Sequence, residues 1–132
     1  MSEIEITPED IRAFFDRFVV AFASFDEWQV AELFATPAVA CRKDGSLVAL
    51  TTAEDVAAYY KAALDGYRSG GCTYCEWSDL QTMPMGAVSV AAAVNWRLRR
   101  ADGSILVAWR QTYCLVKAPG GLKNFAAISH AV

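Results

Sequence analysis

Proton transfer near neutral pH needs a group that exchanges a proton there, and this sequence has a single histidine, His130. Read as strands with alternating side chains, the C-terminal half sends His130 to one sheet face together with the carboxylate Asp79. A histidine oriented by a carboxylate can take up and return a proton, and Asp79 can itself act as a base. Gln111 and Tyr113 fall on the same face, where an amide and a phenol can donate to a ligand carbonyl or carboxylate. Plainer readings stand beside these. His130 ends a strand, where a histidine often meets solvent or a backbone carbonyl. Asp79 reads equally as a solvated strand carboxylate, and Gln111 with Tyr113 as a buried pair satisfying each other.

Cysteine chemistry is less promising. Cys72 and Cys75 form one C-x-x-C, but a zinc site wants a second such pair or two histidines at suitable spacing. A redox C-x-x-C opens a helix after a strand, whereas this one follows Gly70-Gly71 and enters a strand. With Cys41 and Cys114, they read as small packing residues. No glycine-rich phosphate loop, Ser-His-Asp spacing or paired metal ligands appear, so neither a metal nor a cofactor is implied. Arg97, Arg99 and Arg100 are split between two faces by strand alternation and read as a solvated hairpin end.

With 12 basic residues against 15 acidic ones, the chain has no general attraction for a phosphate backbone, and no nucleic-acid partner is expected. The opening Met1-Ser2-Glu3-Ile4-Glu5-Ile6 lacks the basic-then-apolar order of a secretory leader. No apolar run approaches the roughly 20 residues that span a bilayer, so no membrane partner is expected either. The expectation is a cytoplasmic protein with reduced cysteines. Hydrophobic residues make up 55% of the 132, enough to build one core and one domain over residues 1–132.

The elements that must position these side chains are well marked. Thr7, Pro8 and Asp10 form a capping signal for a helix whose apolar stripe is Ile11, Phe14, Phe15, Phe18, Val19 and Phe22. Asp26 caps a second, shorter helix carrying Trp28, Val30, Leu33 and Phe34, with Pro37 to stop it. Ala38 to Arg42 and Leu47 to Leu50 flank a glycine turn and read as a hairpin. Thr52 and Asp55 repeat the capping signal for a third helix with Val56, Tyr59, Tyr60, Ala63, Leu64 and Tyr67, ended by Gly70-Gly71. Four long strands follow, Cys72 to Met83, Ala87 to Arg100, Ser104 to Lys117 and Leu122 to Ala131, joined by tight turns into an antiparallel meander. The fold class is α+β: N-terminal helices packed on a curved, mixed, mainly antiparallel sheet with an internal pocket.

Register follows from the turns. A two-residue Asp102-Gly103 loop sets Trp96 opposite Trp109, Val94 opposite Gln111 and Ala92 opposite Tyr113. Tight outer turns add Cys75, Trp77 and Asp79 on one side, and Asn124, Ala126, Ile128 and His130 on the other. This face carries large rings that pack on the first helix and on Tyr59 or Tyr60. The other face of the central hairpin reads Ala91, Ala93, Asn95, Ala108, Arg110, Thr112 and Cys114. Such a small, flat surface suits a copy of itself, with Arg110 placed to pair across the contact, so a sheet-to-sheet homodimer is expected. The inward residues Phe18, Tyr59, Trp77, Trp96, Trp109, Gln111 and Tyr113 are the expected binding site for a small apolar ligand.

The order of elements resembles the nuclear transport factor 2-like (SnoaL-like) superfamily of cystatin-like α+β cones, along nearly the whole chain. The segment from Phe25-Asp26-Glu27-Trp28 to Leu33-Phe34-Ala35 looks like its "DxxAxxxLFA" region. Asp44-Gly45 followed by Thr52 to Tyr60 looks like its "DG … G-x-E-x-I-x-x-Y" region, and Gly120-Gly121-Leu122-Lys123 through Ser129-His130 is similar to its closing "DGWKI … H" strand. Leu122 and Asn124 depart from the usual Trp and Ile there. The resemblance implies a cone-shaped pocket and frequent dimers, in a superfamily that includes ketosteroid isomerases, polyketide cyclases, dehydratases and transport adaptors. Anchored on Leu33-Phe34-Ala35, the isomerase's general-base aspartate falls on Arg42 and its oxyanion-hole tyrosine on Phe18, which perform neither role. Two readings follow. One is a non-catalytic binding or assembly domain. The other is a cofactor-independent isomerase, cyclase or dehydratase acting on a cyclic or polyketide-like substrate through His130 and Asp79.

Overall fold

The computed structural model describes residues 6–131; the acidic opening, up to residue 5, lies outside that range. Among the described residues three helices and six strands follow one another as α1 (Pro8–Ser24), α2 (Glu27–Ala31), β1 (Phe34–Cys41), β2 (Leu47–Leu50), α3 (Ala53–Ser69), β3 (Cys72–Pro84), β4 (Ser89–Arg100), β5 (Ile105–Ala118) and β6 (Gly121–Ser129). The strands form one open sheet in the order β2-β1-β6-β5-β4-β3. Every neighbouring pair is antiparallel except β1 with β6, which is parallel and ties the N-terminal hairpin to the end of the meander.

Both long helices begin as their sequences dictate. Thr7 and Thr52 each accept from the backbone N–H three residues on, while Asp10 and Asp55 bond back to the cap residue's own N–H. Each reciprocal cap contributes about 1 kcal/mol and fixes where the helix starts. Starting α1 at Pro8 puts Phe14, Phe15, Phe18 and Phe22 on one stripe, all buried against the sheet. The rings interlock rather than stack: Phe18 lies 5.4 Å from Trp96, and Phe15 lies 5.5 Å from Tyr113 at 74°.

The short helix ends sooner than its apolar spacing suggests. α2 stops at Ala31, and Phe34 begins β1 instead of closing the helix. Sheet pairing wins here: Asn124 N–H donates to the Leu33 carbonyl at 2.8 Å, and Phe34 sits opposite Asn124. Pro37, which lacks an N–H, falls inside β1 where the pairing with β6 is interrupted between Phe34 and Val39.

The central hairpin has the expected register, with Trp96 opposite Trp109, Val94 opposite Gln111 and Ala92 opposite Tyr113. It reaches that register by two compensating irregularities. The loop holds three residues, Arg100 N–H donating to Ser104 O across Ala101-Asp102-Gly103, and Gly103 takes the left-handed conformation that ends such a turn. A bulge on β5, where Leu106 is the extra residue between Ile105 and Val107 opposite Arg99 and Leu98, then restores the phase.

Two further bulges overturn the expected phase of the outer strands. On β3, Ser78 pairs with Asn95 and Gln81 with Ala93, so Asp79 and Leu80 together face a single residue. Asp79 adopts a left-handed φ of 55°, which aspartate tolerates better than most residues, and Leu80 packs against the core while Asp79 stays exposed. On β6, Leu115 pairs with Asn124 and Cys114 with Ala126, leaving Phe125 as the extra residue. Asn124 Oδ1 caps this bulge by accepting from Ala126 N–H at 3.2 Å. Beyond it Ala127 and Ser129 point inward, and Ala126, Ile128 and His130 point outward. Asp79, Ala126, Ile128 and His130 are therefore on the face opposite to the one expected.

Candidate functional site

The inner sheet face and the helices enclose a cavity of about 150 Å³. α1 supplies Phe18 and Phe22; α3 supplies Tyr59, Tyr60 and Tyr67, spaced so that Tyr60 and Tyr67 share a stripe. The sheet contributes Trp96 from β4, Trp109, Gln111 and Tyr113 from β5, and Ser129 from β6. Lys43, on the β1–β2 turn, completes the lining with the only full charge among the described lining residues. Tyr67 lies nearly flat on Trp109, ring centroids 6.2 Å apart and planes 21° from parallel.

The polar groups of this cavity are wired as donors. Trp96 Nε1 donates to the Tyr113 hydroxyl at 2.7 Å, so the phenol oxygen is an acceptor within the protein and its own O–H is left to turn elsewhere. Trp109 Nε1 donates to Gln111 Oε1 at 2.6 Å, and Ser129 Oγ donates to the same oxygen at 3.1 Å. An indole N–H only donates, so the amide atom facing it must be oxygen. Nε2 is then the free end of a side chain that is 7% exposed, with no partner among the described residues. Gln111 and Tyr113 thus do not satisfy each other; each is held by a tryptophan. Burial pushes the Tyr113 phenol well above its ordinary value, with Tyr60 nearby adding to the rise, and burial does the same to Tyr60. Both remain protonated at neutral pH.

Of the seven residues expected to line a ligand site, Phe18, Tyr59, Trp96, Trp109, Gln111 and Tyr113 border the cavity and Trp77 does not. Trp77 stands opposite Trp96 on the inner face, but its ring packs 5.7 Å from Phe15 and its N–H reaches Asp16 at 3.4 Å. Asp79 and His130 lie on the outer face, occupied by neighbours. Asp79 Oδ2 accepts from Asn95 Nδ2 at 2.7 Å, and His130 Nε2 sits 2.6 Å from Thr112 Oγ1. Arg110, expected to reach across a dimer, bonds within its own chain to Asn95 Oδ1, the Asp79 carbonyl and Gln81 Oε1. Among the described residues no three of His, Cys, Asp and Glu converge as a metal site would require. Nor is any described helix long and apolar enough to cross a membrane.

Several lining residues were not in the expected site, among them Tyr60 and Tyr67, Lys43 and Ser129. The i, i+7 spacing of Tyr60 and Tyr67 on α3 carries the signal for the first two. Ser129 is hidden by the Phe125 bulge, which exchanges the inward and outward sets of β6.

Helices closing one face of an open, curved, mixed sheet, with a ring-lined cavity between them, define an NTF2-like protein of the cystatin-like fold. The chain belongs to the family described as NTF2-like protein (DUF6841), whose model matches residues 8–132. Solved structures support the same fold. Aln2 from a Streptomyces species superposes with a TM-score of 0.76 at 18% identity over 97% of this chain and 94% of its own. An NTF2-like protein with a cystatin-like fold from Novosphingobium aromaticivorans gives 0.74 at 14% identity, covering 94% and 80%. An NTF2-like protein from Cytophaga hutchinsonii gives 0.66 at 18% identity, covering 96% and 99%. A comparison with curated proteins finds no match.

Proposed function

We propose that this protein is a non-catalytic small-molecule-binding domain that works as a homodimer, with its ligand in the aromatic cavity and its second copy on the open sheet face. One observation carries the reading. The histidine and carboxylate that would form an acid–base pair lie behind the sheet, while the cavity lining combines rings, donors and no carboxylate among the described residues. Such a site is suited to holding a molecule. An isomerase, cyclase or dehydratase would need a proton acceptor in the cavity, and phenols raised by burial are poor acceptors at neutral pH.

Support for the second copy comes from the outer face. Ala91, Ala93, Thr112, Cys114, Ala126 and Ile128 make a low surface there, and the neighbouring Arg110 spends its donors within its own chain. Calorimetric titration with toluene, a neutral single-ring probe, tests the cavity: saturable binding that is lost in Trp109→Ala is expected. The absence of binding by toluene and by ring compounds bearing polar groups would contradict it. Light scattering tests the assembly, a mass of two chains being expected and one chain contradicting it.

A further inference from the structure

Building on the reading of this cavity as a ligand site, we infer that its ligand is a single-ring aromatic carboxylate of the benzoate type. The ring would lie among Phe18, Trp96 and Trp109, and the carboxylate would accept from Gln111 Nε2 at the end of the cavity where Lys43 sits. The size limit is the first argument. A cavity of about 150 Å³ matches the volume of engineered protein cavities that take up one benzene ring. The fused rings of a steroid or polyketide would extend out of it towards solvent.

The polarity of the lining points the same way. Gln111 is more than nine-tenths buried, and its acceptor oxygen is filled by two donors, Trp109 and Ser129. Gln111 Nε2 borders the cavity without a protein partner among the described residues, so a ligand acceptor can take its hydrogens there. The Tyr113 oxygen is likewise taken by Trp96, leaving its O–H as a donor. A ligand that brings acceptors fits this wiring, and one that brings donors does not.

Charge and where it sits add to this. Among the described lining residues Lys43 is the single basic group, and no carboxylate-bearing residue is among them. Gln111 pairs with Ser129, and Ile128 pairs with Cys41, so the turn carrying Lys43 continues from the same end of the sheet as Gln111. Arg42, beside it, places its guanidinium 5.8 Å from the ring centroid of Tyr59, a lining residue, adding positive charge at that end. Rings inside and cations at one end sort a planar acid by its two halves. The tilted and edge-on rings of Phe18, Trp96 and Tyr113 suit an aromatic edge better than a saturated ring.

The test is calorimetric titration of the full chain with sodium benzoate, benzamide and toluene. Benzoate is expected to bind at least about tenfold more tightly than either neutral probe. Gln111→Glu keeps an oxygen for Trp109 and Ser129 but replaces the N–H₂ with a second oxygen. It should weaken benzoate by about tenfold or more, and by several-fold more than it weakens toluene. Lys43→Gln, at an exposed position, should cut the preference for benzoate over benzamide several-fold, and added salt should shrink the same preference in the unmodified protein. Toluene binding with benzoate no tighter would overturn the inference while leaving the binding-domain reading in place. So would benzoate binding that neither substitution weakens. Failure of all three probes to bind would overturn both.

Discussion

Trp109 donates its indole N–H to Gln111 Oε1 at 2.6 Å along one face of β5, and that bond decides which end of the amide is left free. A second tryptophan does the same for a phenol, Trp96 donating to Tyr113 at 2.7 Å. The aromatic residues of this inner face are therefore more than filling. They set the hydrogen-bonding sense of the polar groups that share the cavity with them.

Trp96 is 1% exposed and touches Phe15 and Phe18 as well as Tyr113. Trp96→Ala should cost about 3–5 kcal/mol in stability through the void it leaves and the orphaned phenol. Denaturant melts measure this directly. A loss below about 1 kcal/mol would mean the residue is peripheral.

Asp79 holds a left-handed backbone at φ 55° as the bulged residue of β3. Both Asp79→Gly and Asp79→Ala lose the 2.7 Å bond from Asn95, but glycine adopts that φ freely and alanine does not. The glycine variant should be more stable than the alanine variant by about 1 kcal/mol. Equal stabilities would argue that the bulge relaxes when its side chain changes.

Because His130 and Asp79 lie behind the sheet, His130→Ala and Asp79→Gly should leave ligand affinity unchanged within about twofold. Affinity measured on both variants, with any single-ring ligand that the native protein binds, checks this. A tenfold loss in either would restore a role for that residue in the site.

Alkaline pH gives an independent check of the core. Burial raises the Tyr113 and Tyr60 phenols, and burial with Cys72 and Glu76 nearby pushes the Cys75 thiol up to about 12. These groups ionise more easily in the unfolded chain, near 10.0 for tyrosine and 9.0 for cysteine. Their stabilising contribution is intact below pH 9 and is lost as pH rises towards and beyond 12. Of the five tyrosines, Tyr60 and Tyr113 should gain phenolate absorbance only together with the loss of circular dichroism. Full tyrosine titration in a still-folded protein would contradict their burial.

Ala93 sits mid-strand on the outer face, opposite Thr112. If two copies meet there, Ala93→Arg should yield monomers by light scattering while the melting midpoint of dilute protein changes little. An unchanged mass would place the contact elsewhere.

Much of this architecture was legible before any coordinates, because local signals agreed with the global fold. Thr7 with Asp10, and Thr52 with Asp55, fixed both helix starts, while the central register came out as expected because a three-residue loop and a bulge offset each other. What failed was phase beyond a bulge. Asp79 and Phe125 each insert one residue, and nothing in a period-two pattern announces that in a stretch where both faces are half apolar. Hence Trp96, Trp109, Gln111 and Tyr113, on the central strands, were placed on the inner face correctly, whereas Asp79, at a bulge, and His130, beyond one, were placed there wrongly. Phe34 shows the other limit: its apolar spacing suits a helix, and only the pairing with Asn124 reveals a strand.

The central claim is that the cavity beneath Trp109, rather than the outer face, receives a small ring-bearing ligand. Two-dimensional ¹⁵N–¹H spectra during a benzoate or toluene titration test it most directly, since each tryptophan reports through its own indole N–H. The account predicts saturable shifts at the Trp109 and Trp96 indoles, none at the exposed Trp28 and none at the His130 backbone amide. Shifts confined to Trp28 or His130, or no saturable shift with either compound, would contradict it.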